Sequence, residues 1–310
     1  MSYDFLVAVL ATAVVAGTPI LYAALGELIC ERSGILNLGV EGMMLVGAVT
    51  GFIAALSTGN PWAGVLAALI AGGAMASIHA VLTVSLKANQ VVSGLALTLF
   101  GTGLSAYIGK AYIGMPLANP FRPFEIPVLS EIPFLGPILF RNDPLVYLTF
   151  LLVPLAWFLL FRTKAGLNMR AVGENPAAAD SLGVNVFATR YMYIIIGGML
   201  AGVGGAYLSL AYVPAWMENM VAGRGWIAVA LVIFATWNPV NALLGAYIFG
   251  GIHALGFRLQ TLDVNVSPYF LKMLPYLFTI AVLIFVTRKN NRSRIGAPKA
   301  LGQAYDREER

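Results

Sequence analysis

Charge is scarce in this sequence. Asp, Glu, Lys and Arg make up 11% of its 310 residues, against ~25% in soluble globular domains, and 59% of the chain is hydrophobic. So little polar surface cannot cover a protein in water, so most of the chain must face lipid or other apolar helices. Cysteine is scarcer still: Cys30 stands alone, which excludes an internal disulfide or a cysteine cage for a metal, and it is read as a small packing residue. The two histidines, His79 and His253, lie far from each other and from any pair of carboxylates. They read as core histidines, and no metal site is expected. A phosphate-cradling Gly-x-x-x-x-Gly-Lys-Ser/Thr loop is missing, so this chain is not expected to hydrolyse ATP itself. Also missing is any Ser/His/Asp or His-Glu-x-x-His arrangement, and no catalytic residue is assigned. The opening Met-Ser-Tyr-Asp lacks a basic n-region, so the first apolar stretch is expected to persist as a membrane helix. The net charge of +5 is spread over segment ends and the C-terminal region rather than gathered in a groove, which argues against a nucleic-acid partner.

What the sequence has in abundance is long apolar runs. A membrane-spanning helix needs ~20 mostly apolar residues, and runs of that kind lie near 5–26, 35–57, 62–86, 90–112, 144–162, 190–213, 240–258 and 269–287. A shorter piece near 225–236 reads as a half-helix or re-entrant segment, tolerated where its backbone is buried in protein or lines a cavity. The expected fold is all-α: a polytopic transmembrane bundle of about eight to ten segments, the upper count requiring a fold-back near residue 30. Arg162, Lys164, Arg170 and Arg190 flank a central polar island, and Arg288, Lys289, Arg292, Arg294, Lys299, Arg307 and Arg310 crowd the end of the chain. By the positive-inside rule both regions are cytoplasmic. Lys87 then falls inside, residues 113–142 outside and the N-terminus outside. The 113–142 stretch carries Pro116, Pro120, Pro123, Pro127, Pro133 and Pro137, so an ordered, non-helical loop is expected. Residues 1–287 make one membrane domain, and 288–310 a basic tail expected to be solvated beside anionic headgroups. Gly197, Gly198, Gly202, Gly204 and Gly205 in one span, and Gly94, Gly101 and Gly103 in another, suit close helix packing. Trp157, Trp216, Trp226 and Trp237 fall near segment ends, as in an interfacial belt.

Polar groups inside apolar runs are costly and so are candidates for a solute path. Asn37 and Glu41 lie four apart and are expected to share a helix face, with Gly34, Gly39 and Gly42 breaking or crowding that helix. They either line a translocation path, as broken helices do in transporters, or Glu41 pairs internally with a backbone amide or Arg32. Gln90 and Ser93 open another span and are a second pair of path candidates, or simply a helix start. Arg224, between two glycines, either meets a partner or substrate or caps the preceding loop.

The polar island runs Arg170-Ala-Val-Gly-Glu-Asn-Pro-Ala-Ala-Ala-Asp-Ser-Leu-Gly183. Asn175 is placed to cap a helix, Pro176 suits its first position, Ala177, Ala178 and Ala179 propagate it, and Gly183 supplies a left-handed exit. Such a rod is ~10 Å long, too short to span, and reads as either a docking helix or an ordinary tight loop. The run Gly173-Glu174-Asn175-Pro176-Ala177-Ala178-Ala179 through Gly183 resembles the loop by which ABC importer permeases press a coupling helix into their ATPase. The stretch Glu31-Arg-Ser-Gly-Ile-Leu-Asn-Leu-Gly-Val-Glu-Gly-Met-Met-Leu-Val-Gly-Ala48 is similar to the branched-chain amino acid, ribose and nucleoside branch, and its Glu-Gly-Met-Met form looks most like nucleoside (simple-sugar-type) members. The likeness extends over about 15–287. It implies an inner-membrane permease subunit with a coupling loop at about 163–189 and no cofactor of its own. ATP and Mg2+ would sit at partner ATPase subunits, solute would come from an external binding protein or lipoprotein, and a second permease chain would complete the path, a heterodimer being favoured. It also implies a nucleoside cargo, with simple sugars and then branched-chain amino acids as alternatives. An ion-coupled carrier using Glu41 as a proton site, or an intramembrane enzyme, are the rivals from other classes.

Overall fold

The computed structural model describes residues 3–261, 273–274, 277–281, 284 and 296–307. Nearly all of the regular structure is helical: α1 (Tyr3–Arg32), α2 (Val40–Thr58), α3 (Pro61–Ala80), α4 (Gln90–Gly109), α5 (Leu135–Leu139), α6 (Pro144–Arg162), α7 (Lys164–Glu174), α8 (Pro176–Ser181), α9 (Val186–Tyr207), α10 (Arg224–Phe234) and α11 (Pro239–Thr261). Among the described residues seven helices are long and apolar enough to cross a membrane. The protein is therefore a polytopic helical bundle, as its composition implies. The expected span 269–287 lies largely outside the described residues. The short apolar piece is α10, whose 11 residues reach only ~16 Å, about half a hydrocarbon core. Helix α1 is unbroken at residue 30 and continues to Arg32, and the chain turns only beyond it, at Gly34.

Asn or Asp caps the start of α3, α4, α6 and α9. The side-chain oxygens of Asn60, Asn89, Asp143 and Asn185 accept from the backbone N–H of Trp62 (3.0 Å), Val92 (3.1 Å), Leu145 (2.9 Å) and Ala188 (2.9 Å). Each such cap contributes ~1 kcal/mol. Burial pushes the Asp143 carboxyl above the ordinary carboxylate range, and the N–H groups it accepts from pull it back down. Two spans end in a five-residue π-helical turn, Val81–Ser85 after α3 and Leu208–Tyr212 after α9, which the apolar periodicity alone does not reveal.

Helix α9 runs through the middle of the bundle, against α1, α2 and α3. Lipid tails are as apolar as leucine, so these helices are held by close packing rather than by escape from water. A Cβ on Gly47 of α2 would stand 2.3 Å from Gly202 O, one on Gly26 of α1 2.4 Å from Gly197 O, and one on Gly72 of α3 2.2 Å from Gly198 O. The backbones touch. Gly94 and Gly101 likewise press α4 onto Leu38 and Gly42, but Gly103 faces open space. Nor do all the tryptophans form an interfacial belt: Trp216 and Trp237 are 0% and 3% exposed, and the indole of Trp237 donates to Glu31 Oε2 at 2.5 Å.

One end of the bundle gathers the proline-rich connection. Asn119 Nδ2 donates to Gly59 O at 3.2 Å, Leu117 N to Pro214 O at 3.0 Å, and the Tyr3 ring lies 6.3 Å from that of Phe134. This connection is not wholly non-helical, since α5 forms within it. Pro137 sits in the first turn of α5, where a missing N–H loses no helical bond. The other end gathers Lys87, α7, α8 and residues 296–307. Residues 296–307 depart from the expectation of a solvated tail: Ala300 and Tyr305 are 3% and 7% exposed, because both pack onto the α7–α8 region.

Candidate functional site

The chain between α1 and α2, residues 33–39, is irregular and almost wholly buried. Gly34 turns it with φ of +91°, a conformation that side chains with a Cβ rarely adopt. A non-helical backbone this deep in an apolar bundle must have its polar groups met by protein, and side chains from three helices meet them. Glu27 Oε1 accepts from Asn37 N at 2.9 Å, and Asn37 Oδ1 accepts from Gly39 N at 3.0 Å. Gln90 Oε1 accepts from Leu36 N at 2.8 Å, and Thr98 Oγ1 donates to Leu38 O at 2.8 Å. His79 Nε2 lies 3.1 Å from Leu36 O and Nδ1 2.9 Å from Ser93 Oγ. A carbonyl only accepts, so Nε2 carries the proton, and Nδ1 of the neutral ring accepts from the serine.

Asn37, Gln90 and Ser93 are thus brought together around one loop, while Glu41 is placed elsewhere. Asn37 and Glu41 do not share a helix face, because α2 begins at Val40 and Asn37 belongs to the irregular chain before it. Glu41 instead reaches the start of α10, where its two oxygens accept from Gly223 N and Gly225 N, each at 2.7 Å. A carboxylate at a helix N-terminus meets unpaired amides and the positive end of the dipole. Arg224 takes the loop-capping role: its Nη1 donates to Met220 O (3.1 Å) and Val221 O (2.9 Å). Its Nη2 lies 3.3 Å from His253 Nε2. Glu27 and Glu31, one turn apart on α1 and each 1% exposed, belong to the same region and were not singled out from the sequence. Their spacing of four inside an apolar helix was the available signal. Among the described residues no three His, Cys, Asp or Glu side chains converge as a metal site.

The polar island folds as a helical elbow. Thr163 Oγ1 caps α7 through Gly166 N at 3.0 Å, and Asn175 Oδ1 caps α8 through Ala178 N at 3.0 Å. Pro176 stands at the first position of α8 and Gly183 follows with φ of +85°. The elbow is longer than the sequence suggests, because α7 precedes the short helix. Gly173 is buried: a Cβ there would lie 2.3 Å from Arg32 O, so only glycine lets α7 rest against the end of α1. Ala179 is 2% exposed and faces inward with Val172, Val186 and Tyr305. Glu174, Asn175, Ala177, Ala178 and Leu182 face out, and Leu182 is 86% exposed.

The sequence matches the family described as branched-chain amino acid transport system / permease component over residues 9–287. It is 44% identical to a putative glucose ABC transporter permease protein of Haloferax volcanii, over 98% of this chain and 99% of the relative. It is 36% identical to a guanosine ABC transporter permease protein of Bacillus subtilis, over 93% and 92%. With a nucleoside ABC transporter permease protein of Lactococcus lactis the identity is 35%, over 96% of each. A second guanosine permease protein of the same Bacillus is 24% identical over 76% of this chain.

Proposed function

Since this chain belongs to the permease component family of branched-chain amino acid transport systems, we propose that it forms the path of an ATP-driven importer for nucleosides. It is a multi-pass membrane protein and a transport subunit, not an enzyme. In this reading α8 is the coupling helix, carried on the elbow between two spanning helices. Glu174, Asn175, Ala177, Ala178 and Leu182 present its outer face to a cytoplasmic ATPase, which binds and hydrolyses ATP with Mg2+. The observation that carries the reading is this capped, outward-facing, apolar-tipped helix at the end of the bundle rich in Lys and Arg. Asn37, Gln90 and Ser93 line the path through the loop they share, and Glu41 does so at the seam between α2 and α10. An external binding protein or lipoprotein delivers solute. The positive-inside rule puts residues 163–189 and 296–307 in the cytoplasm.

Nucleosides are the favoured cargo because relatives from two organisms bear nucleoside or guanosine names. Sugars are the second reading, favoured by the 44% identity to a protein named for glucose. Both cargoes present a hydroxylated ring. A second, unlike permease chain fits the occurrence in one Bacillus of two guanosine permease relatives that resemble this chain to different degrees. The test is reconstitution with the ATPase, the second permease and the binding protein, followed by uptake of labelled nucleosides, sugars and amino acids. ATP-dependent nucleoside uptake supports the reading. Sugar uptake alone selects the second reading, and uptake by the lone chain without ATPase overturns both.

A further inference from the structure

We propose that residues 296–307 are a positioning element for transport, a strap that makes the coupling helix and the 33–39 loop move together. The proposal rests on the reading of α8 as the coupling helix. At the far end of the strap, Asp180 Oδ2 on α8 accepts from the Tyr305 hydroxyl at 2.9 Å and from Arg307 Nε at 3.1 Å. The Tyr305 ring packs with Val172, Ala179 and Val186, and Asp306 pairs with Lys87. At the near end, Ala300 N donates to Gly173 O at 2.9 Å and Arg32 Nη1 donates to Gly296 O at 3.2 Å. In the middle, Gln303 O accepts from Arg190 Nη1 at 3.3 Å and from Gln90 Nε2 at 3.5 Å. The oxygen of that same Gln90 amide accepts from Leu36 N at 2.8 Å. A continuous run therefore leads from Asp180 through Tyr305, Gln303 and Gln90 to Leu36, beside Asn37.

Arg190 shows that the strap is more than loose chain lying on the bundle. Its residue is 1% exposed, and among the described residues its Nε and Nη2 have no hydrogen-bond partner. A guanidinium buried with incomplete pairing is costly, and residues 296–307 are part of what covers it. The strap therefore stays seated against a charge that favours water, held by its bonds to Asp180 and Gly173. Movement of α8 that keeps those bonds must carry the strap, and with it Gln303, Gln90 and the loop.

The test uses the full reconstituted complex. A chain ending after residue 295 and the point variant Tyr305→Phe leave the outer face of α8 unaltered. Both are expected to bind the ATPase and hydrolyse ATP while solute moved per ATP falls, ~10-fold for the truncation and by less for Tyr305→Phe. If the truncated chain fails to accumulate, Tyr305→Phe carries the test. Next, Asp180→Cys and Tyr305→Cys in a Cys30→Ala background are joined by a short bifunctional thiol reagent, which is expected to restore the ratio lost in the unjoined pair. An unchanged ratio in Tyr305→Phe overturns the proposal. Loss of ATPase binding on truncation also overturns it, by making the segment part of the docking face. Loss of uptake on joining overturns it as well, by showing that the strap must release. Failure of the coupling-helix reading is seen separately, as wild-type ATPase binding and stimulation in Ala178→Arg.

Discussion

Exchanging Glu41 for Gln alters one atom of acceptor chemistry at the seam between α2 and α10 and leaves side-chain volume nearly constant. In the native chain both oxygens accept from backbone amides at 2.7 Å, Gly223 N and Gly225 N. Glutamine keeps one oxygen for one of these amides and turns an NH2 toward the other, donor against donor. A hydrogen bond to a charged acceptor contributes ~1.5–3 kcal/mol, and the carboxylate at the positive end of α10 adds ~0.3–1 kcal/mol. Relief of the buried charge offsets part of this loss, leaving a net ~2 kcal/mol. At ~1.4 kcal/mol per decade the attached position of α10 then loses ~30-fold in population against a detached one. For a chain of 310 residues, at ~2.1 cal/mol/K of unfolding entropy per residue, the melting temperature in detergent should fall by ~3 °C. Glu41→Gln is expected to accumulate in the membrane, melt earlier and import solute more slowly. Gly225→Ala should reproduce the defect by steric means, since its Cβ would stand 2.7 Å from Glu41 N, Cα and Oε2. The assays are differential scanning fluorimetry of the purified protein and ATP-driven uptake in proteoliposomes. Unchanged melting and unchanged uptake in Glu41→Gln would refute the argument that this carboxylate holds α10. Normal melting with lost uptake would instead leave Glu41 acting on solute directly.

Single cysteines at the exposed positions Asn119 and Phe124, in a Cys30→Ala background, should react with an impermeant thiol reagent from outside, and one at exposed Lys299 should not. Labelling from the opposite sides would invert the topology. Ala178→Arg puts a long cation on the outer face of α8, where overpacking costs ~1–3 kcal/mol in a tight contact; ATPase co-purification should drop ~10-fold or more with membrane insertion unchanged. Gly47→Val forces two methyl groups toward the Gly202 backbone, already 2.3 Å from a single Cβ, and should lower the melting temperature more than Glu41→Gln does. Equal melting of Gly47→Val and wild type would show that α2 and α9 are not in backbone contact.

Much of the architecture was legible locally. Spans announce themselves by length and apolarity, and the Asn175-Pro176 start and Gly183 exit of α8 appear as read, because capping is a matter of a few adjacent residues. Long-range pairings were not legible. Glu41 finds its amides 182 and 184 residues away, and Tyr305 finds Asp180 across 125. No local pattern encodes such partners. Arithmetic of four placed Asn37 and Glu41 on one face, but that periodicity presumes helix where Gly34 turns the chain. Residues 296–307 read as solvated by composition, yet Pro298, Ala300 and Tyr305 are buried and seat the segment, because a few apolar side chains suffice to hold so short a stretch.

The glycine seam of α9 has a consequence for biosynthesis. The grooves that receive α9 lie on α1, α2 and α3, which leave the ribosome long before residue 186 is made. At ~5–20 residues per second those three helices wait on the order of ten seconds with bare glycine faces turned to lipid. During that interval the close backbone contacts of Gly26, Gly47 and Gly72 with α9 are unmade, and any other small-faced helix in the membrane is a competing tenant. Nascent chains halted before α9 should therefore be recognisable to membrane quality control as orphans, and the abundance of the finished protein should depend on how promptly its middle helix arrives.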